Sequence, residues 1–389
     1  MERKRSIILI PGIQGTKLAN VNDKDFRTIW SGIKKYFSNI HRLKLQFDGV
    51  SDKGAETIIE RADVENIAYS EIINYLRSLG YNVFIFGYDW RKSNVESAKE
   101  LAEFIAKVKR KLNEPEINFL THSMGGLVLS AYLKQLDPTT RNTIVNKIIF
   151  TVSPFLGSVE ASFNLTIGKS KLFNSSDDFR KIARTFPGIY ELLPVYKDAY
   201  DFEDTRTAKS YDPFDFDTYW QQVKTVDREY TEQKHRLMSK RLKDTGTVRS
   251  QNKFVFDLSQ CDDVFKKKVL IMVGGGEKTK DQIYVEKERG DMKNYFNYEK
   301  HEEVKDGDGT VPDQSATAFK DSILTLKLYT TFLEKRADSR VIMSDWHAFY
   351  LNNGRVQNII KRFFDPKSSL QGDWFESRGG KVQNISNPD

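Results

Sequence analysis

Cysteine is scarce in this sequence: one residue, Cys261, in 389. An intramolecular disulfide is therefore excluded, and a reducing compartment suits the chain. Long apolar runs are missing as well. No stretch approaches the roughly 20 apolar residues of a membrane-spanning helix. The run Ile7–Ile10 follows a basic Met1–Arg5 but is ended by Pro11. It is too short for the apolar region of a secretion signal, and no small-residue cleavage site comes after it. These shortages predict a soluble, cytoplasmic protein whose membrane contact is peripheral. Low-complexity linkers and internal repeats are absent too. A hydrophobic fraction of 39% still supplies a large core, so no long segment is expected to be disordered. Nor is charge of one sign concentrated. There are 61 Lys and Arg against 54 Asp and Glu, for a net +7, and the two signs alternate through the helical segments. Lys266-Lys267-Lys268 reads as a solvated strand flank, so nucleic-acid binding has no patch to rest on.

What is present is a rhythm of short apolar runs and helix-period segments. Strands are predicted at Ser6–Ile10, Val83–Tyr88, Ile117–Thr121, Lys147–Val152, Val269–Val273, Ile323–Tyr329 and Val341–Met343. Helices are predicted at Asn66–Leu79, closed by Gly80, at Ser97–Leu112, at Met124–Lys134, and in a segment running to Phe364. Runs such as IILI and KIIFTV show no polar alternation, which suits a parallel sheet buried on both faces. The fold class is α/β, with a mostly parallel doubly wound sheet. The rhythm stops at about Ser153. From there to about Asn252 the chain is rich in aromatic and charged residues; a helix is expected over Tyr219–Leu242 and no strand pair stands out. The expected organisation is a core of residues 1–154 and 253–365, a helical cap of residues 155–252 inserted over the sheet, and a polar, loosely held tail of residues 366–389.

The strongest local signal is Phe119-Leu120-Thr121-His122-Ser123-Met124-Gly125-Gly126. A strand runs into a serine and a helix follows, the pattern of a nucleophile elbow. Such a turn holds the serine oxygen clear of the sheet at a helix N-terminus that favours negative charge. The first small residue of the pattern is here the larger Thr121, while Gly125 fits. A serine nucleophile needs a base, and the base an orienting carboxylate. In folds with this elbow the chain order is Ser, Asp or Glu, then His.

Five histidines are available. His41 and His122 come too early, His301 precedes the acid loop, and His235 lies in a charged helix. His347, in Ser344-Asp345-Trp346-His347 after the last predicted strand, is the expected base. The acid is sought in Asp306-Gly307-Asp308-Gly309-Thr310-Val311, where Asp308 is preferred and Asp306 is the fallback. A calcium loop is excluded there, because the later ligands and the sixth-position glycine are missing. The oxyanion hole needs two backbone N–H groups. Met124 supplies one. The loop Pro11-Gly12-Ile13-Gln14-Gly15 supplies the other, assigned to Gln14 with Ile13 as the neighbouring alternative. Two phosphate-loop lookalikes fail. Gly12 and Gly15 lack a third glycine, and Gly274-Gly275-Gly276-Glu277-Lys278-Thr279 has Glu277 where glycine is required.

Read together, these segments resemble the lecithin:cholesterol acyltransferase and lysosomal phospholipase A2 family. Pro11 to Gly15 looks like its oxyanion loop, followed by Leu18 and Trp30. Tyr88-Asp89-Trp90-Arg91 and His122-Ser123-Met124-Gly125 are similar to two of its signatures. Ser153 to Ser158, Pro187 to Pro194, Asp306 to Val311, and His347 with Asn353 follow in the same order. The resemblance implies an α/β-hydrolase fold, a catalytic triad of Ser123, Asp308 and His347, and an oxyanion hole of Gln14 and Met124. It places Ile13, Tyr88, Asp89, Trp90 and Arg91 beside the acyl pocket, with Asp89 and Arg91 as a scaffold. The single cysteine departs from the disulfide-bounded lid of the animal acyltransferases. The function implied is a serine-dependent lipid acyl ester hydrolase working through an acyl-enzyme, with no metal or organic cofactor. The alternatives are an O-acyltransferase passing the acyl group to an alcohol and, more distantly, a non-catalytic lipid-binding module. The expected partners are a lipid or other acyl-ester substrate and an anionic membrane surface met peripherally. In the cap, some of Leu165, Ile167, Phe173, Phe186, Ile189, Leu192 and Leu193 are expected to line an acyl groove and contact a lipid surface; the alternative is that they only join the cap to the core. Lys169, Lys171, Arg180, Lys181 and Arg184 are expected to face anionic headgroups.

Overall fold

A computed structural model describes residues 5–20, 28–30, 40–52, 59–64, 66–167, 177–203, 212–216, 220, 223–226, 230–250, 255–287, 295–304, 306–330, 346–365, 367–368, 370, 376–377 and 380–386. In chain order its strands are β1 (Ile7–Ile10), β2 (Thr16–Asn20), β3 (Thr28–Trp30), β4 (Ile59–Val64), β5 (Val83–Ile85), β6 (Ile117–His122), β7 (Val145–Thr151), β8 (Tyr200–Phe202), β9 (Val269–Gly275), β10 (Ile283–Glu286), β11 (Tyr295–Asn297), β12 (Thr325–Tyr329), β13 (Glu376–Ser377) and β14 (Gly380–Asn384). The central sheet runs β13-β14-β12-β9-β7-β6-β1-β5. It is parallel from β12 to β5, and β14 and β13 close one edge antiparallel.

The unbroken apolar runs are explained by burial on both faces. Every residue of β1, β6 and β9 is buried. Successive residues point to opposite sides. Ile7 and Leu9 therefore pack with Leu120, Ile149 and Leu270 against helix α1 (Asn66–Ser78) and the helix Gly354–Phe364. Ile8 and Ile10 pack with Phe119, Ile148 and Ile271 against α2 (Asn94–Leu112) and α3 (Gly125–Lys134). Helix α2 begins where the Ser93 hydroxyl accepts the Val95 N–H and ends at Asn113 in the left-handed region.

Several expectations need correction. The helix expected over Tyr219–Leu242 is a short turn at Val223–Val226 and then a long helix at Glu232–Ser250. The insertion is not wholly helical: β8 pairs in parallel with β10, which pairs antiparallel with β11. The tail is not loosely held throughout. Strand β14 bonds to β12, with Val382 opposite Leu328 and buried. A small antiparallel sheet, β3-β2-β4, follows β1 and was not anticipated. The strand expected at Val341–Met343 lies outside the described residues. No described helix is long and apolar enough to cross a membrane.

Candidate active site

Strand β6 delivers His122 to the carboxyl end of the sheet, and the chain turns at Ser123 into α3. Ser123 has φ 52°, a left-handed conformation unusual for a residue with a side chain. The strain is held by a backbone bond from the Ser123 N–H to the Thr151 oxygen at 2.9 Å, and by one from the Gly126 N–H to the Ser123 oxygen at 2.9 Å. Gly125 is required by close approach: a Cβ there would lie 2.3 Å from the Ile10 carbonyl oxygen. Thr121 is buried, with its hydroxyl donating to the Ile149 carbonyl at 3.5 Å.

Three side chains from distant segments meet at this turn. His347 Nε2 lies 2.8 Å from Ser123 Oγ, and His347 Nδ1 lies 2.6 Å from Asp308 Oδ2. All three residues are buried. The second Asp308 oxygen accepts the backbone N–H groups of Thr310 at 2.9 Å and Val311 at 2.7 Å. That leaves Oδ2 aimed at the imidazole. Asp306 instead pairs with Lys327, which also bonds Asp313 at 2.7 Å. Asp308, not Asp306, faces His347. The acid loop is also tied to the loop after β7, where the Ser158 hydroxyl donates to the Thr310 oxygen at 2.5 Å.

On the other side of Ser123 lies the loop 11–15. Gln14 has φ 62°. Its carbonyl accepts the Trp30 indole N–H at 3.0 Å, and the Pro11 carbonyl accepts the Tyr88 hydroxyl at 3.0 Å. Burial pushes the Tyr88 phenol well above its ordinary value, so it stays protonated and donates. The Trp90 indole N–H donates to the Thr16 carbonyl at 3.0 Å. Arg91, fully buried, takes Asp89 in a two-pronged grip at 2.8 and 2.6 Å and reaches Asp52 and the Leu43 carbonyl, each at 2.8 Å.

A narrow cleft, partly open to solvent, runs from Ser123. Its apolar wall is Ile13, Pro154, Ala161, Ile189, Leu192 and Val311. Ile13, Ile189 and Leu192, expected near an acyl groove, are among the residues lining this cleft. Tyr88, Asp89, Trp90 and Arg91 are not among the residues lining this cleft; Tyr88 and Trp90 bond the Pro11 and Thr16 carbonyls at either end of the loop that carries Gln14, while Arg91 ties Asp89 to Asp52 and the Leu43 carbonyl. The headgroup expectation also changes. Arg180 and Arg184 are buried and turned inward, donating to the Thr166 carbonyl at 3.4 Å and the Leu165 carbonyl at 2.9 Å, at the carboxyl end of the helix Val159–Thr166. Lys169, Lys171 and Phe173 lie outside the described residues. Sequence reading missed Tyr69 and Lys327. Tyr69 carried a signal: a hydroxyl-bearing side chain within the apolar stripe Ala68, Ile72, Ile73 and Leu76 of α1 needs a buried partner.

The parallel sheet and the elbow define an α/β-hydrolase. A family model described as lecithin:cholesterol acyltransferase matches residues 47–321, and the chain belongs to that family. Ser123 and Asp308 lie inside the matched span; Gln14 and His347 lie outside it. The chain is similar to the lecithin-cholesterol acyltransferase-like 4 protein of Arabidopsis thaliana, 26% identical over 233 residues, which is 49% of this chain and 43% of that protein. The match therefore spans less than half the length of that relative. Among solved structures, the Tle4–Tli4 complex has a chain that aligns with a TM-score of 0.61 at 14% identity, covering 94% of this chain and 99% of that one. That likeness concerns the fold alone.

Proposed function

We propose that the protein is a serine-dependent lipid acyl ester hydrolase of the lipase or phospholipase A type, working through an acyl-enzyme on Ser123. The observation that carries this is the buried chain Ser123–His347–Asp308, at 2.8 and 2.6 Å, opening onto an apolar cleft. In this reading His347 Nε2 takes the Ser123 proton as Oγ attacks the ester carbonyl. The N–H groups of Gln14 and Met124 receive the oxyanion. Asp308 fixes the tautomer of His347 and stabilises its charged form. The intermediate collapses as His347 returns the proton to the departing alcohol. A water activated by His347 then releases the fatty acid. No metal or organic cofactor enters this sequence.

The same acyl-enzyme can be resolved by an alcohol instead of water, and the family description favours keeping that second reading. A non-catalytic lipid-binding module has no need of the assembled triad. We further propose a cytoplasmic setting, supported by the lone Cys261, and peripheral contact with anionic lipid, supported by the net charge of +7. The test is mass-spectrometric product analysis over a lipid panel, with and without an alcohol acceptor. Free fatty acid in both arms supports hydrolysis, and ester product in the second arm supports transfer. Undiminished turnover in Ser123→Ala would remove the mechanism.

A further inference from the structure

Beside the three proposed catalytic side chains lies a buried histidine with both ring nitrogens engaged. His122 Nε2 is 2.9 Å from the His347 carbonyl oxygen, and His122 Nδ1 is 2.8 Å from the Tyr69 hydroxyl. The backbone N–H of Gly12 donates to that same hydroxyl at 2.9 Å. The proton order follows from the chemistry of the groups. A carbonyl only accepts, so Nε2 carries the hydrogen. Nδ1 of a neutral ring is then a lone pair, and Tyr69 must donate to it. The Tyr69 oxygen in turn accepts the Gly12 N–H. The rival arrangement is a doubly protonated ring. It is opposed by burial and then by the charge of His347, which push His122 down to about 3.

This single file of bonds joins four segments far apart in sequence: the loop after β1, helix α1, the elbow and the loop bearing His347. We infer that Tyr69 and His122 form a neutral positioning chain that ties the backbone of the base, His347, to the oxyanion loop at Gly12, keeping the two sides of Ser123 in one register. The inference rests on the triad reading above. Its neutrality serves the reaction. The rings of His122 and His347 are 5.3 Å apart. A charged His122 would oppose the imidazolium that forms when His347 takes the serine proton.

Three variants test it on a soluble ester. His122→Phe keeps an aromatic ring, somewhat larger, and removes both nitrogens. His122→Gln returns an N–H donor near the place of Nε2. Tyr69→Phe removes one hydroxyl and little else, so it remains informative if His122→Phe does not fold. His122→Phe and Tyr69→Phe are expected to lower kcat roughly 10- to 100-fold, the scale on which misplaced reacting groups act. KM should stay within about two-fold, because binding is untouched. His122→Gln should recover much of the loss. Values of kcat within about two-fold of the parent in both phenylalanine variants overturn the inference. Equal losses in His122→Phe and His122→Gln that follow their melting temperatures also overturn it, since packing alone would then explain them. Turnover persisting in Ser123→Ala would instead sink the triad reading, whereas a silent His122→Phe in a protein that Ser123→Ala inactivates sinks only this inference.

Discussion

Asp308 and Asp89 are both buried, and each accepts a bond of 2.6 Å from a nitrogen of a basic side chain. They differ in the partner. Asp308 holds a histidine, which changes charge within the working pH range. Asp89 holds Arg91, which does not. Burial works against the charge on Arg91, but Asp89 and Asp52 outweigh it and hold the guanidinium pKa above its ordinary value. The same geometry therefore suits two tasks. Next to Ser123 it lets a charge appear and vanish. Beside Leu43 and Asp52 it fixes a permanent charge as a brace. The proposed mechanism requires this division, and substitutions can break it.

The largest effect is expected at Asp308. Asp308→Asn keeps volume and still accepts from Thr310 and Val311, but it no longer selects the reactive tautomer of His347. Turnover should fall by about 10⁴-fold, the scale seen for such a change in a serine protease, with the melting temperature nearly unmoved. Asp306→Asn should be mild, because Asp306 is half-exposed and faces Lys327. Steady-state kinetics of both variants decide the matter. If Asp306→Asn silences the protein and Asp308→Asn does not, the acid is misassigned.

Arg91→Met should behave in the opposite way. It leaves the Asp89 carboxylate buried, with Lys92 at 3.9 Å as a poor substitute partner. A loss of about 3–5 kcal/mol in unfolding free energy is expected, with kcat of the folded fraction little changed. Urea unfolding alongside active-site titration reads both quantities. Lost turnover at an unchanged unfolding midpoint would abolish the contrast and move Arg91 into the substrate pocket, where the family resemblance first placed it.

Gln14 sharpens the contrast at the loop beside Ser123, which Tyr88 and Trp30 bond at the Pro11 and Gln14 carbonyls. Gln14→Pro removes the N–H and should lower turnover by about 10²–10³. Proline also opposes the observed φ of 62°, so Gln14→Gly is the control: it keeps the N–H and suits that conformation. Equal losses in the two variants would assign the effect to the glutamine side chain.

Much of this division was legible in the residues. The strands were readable because β1, β6, β7 and β9 are apolar without alternation, a pattern that two-sided burial imposes. That Ser123, Asp308 and His347 meet was readable in part: a nucleophile elbow fixes the order in which its partners follow, but that order does not choose between Asp306 and Asp308. Tyr88 to Arg91 were recognisable as a unit, but pattern alone could not separate bracing from lining. That depends on which way four side chains turn at a strand end. The pairing of β8 with β10 joins residues more than 80 positions apart through short strands with no strong period. Arg180 and Arg184 look like surface charges until the helix Val159–Thr166 presents them with its terminal carbonyls, an arrangement that burial can satisfy. Strand β14 is polar, with two of its residues buried and three exposed, so its sequence reads as a tail.

The last effect, read as a slope with pH, concerns the two buried histidines, of which one is proposed to take up charge and the other to remain neutral. His122 is pushed down to about 3, first by burial and then by the charge of His347; its bond to the His347 carbonyl and the charge of Asp308 act the other way and are outweighed. In the unfolded chain its reference value is 6.5. Between those two values the unfolded state binds a proton that the folded state does not, so unfolding free energy rises with pH there. The contribution is complete above the unfolded value and is lost as pH falls towards the folded one. One proton corresponds to about 1.4 kcal/mol per pH unit. Other acid-titrating groups act in the same window, but they are common to the parent and to His122→Gln. The difference between the two isolates His122. Urea midpoints converted to free energies from about pH 4 to pH 7 should rise with pH more steeply in the parent, by about one proton. Parallel slopes would mean that His122 is not held neutral in the folded protein. The proton order from Gly12 through Tyr69 to the His347 carbonyl would then be wrong, whatever the kinetics of the triad.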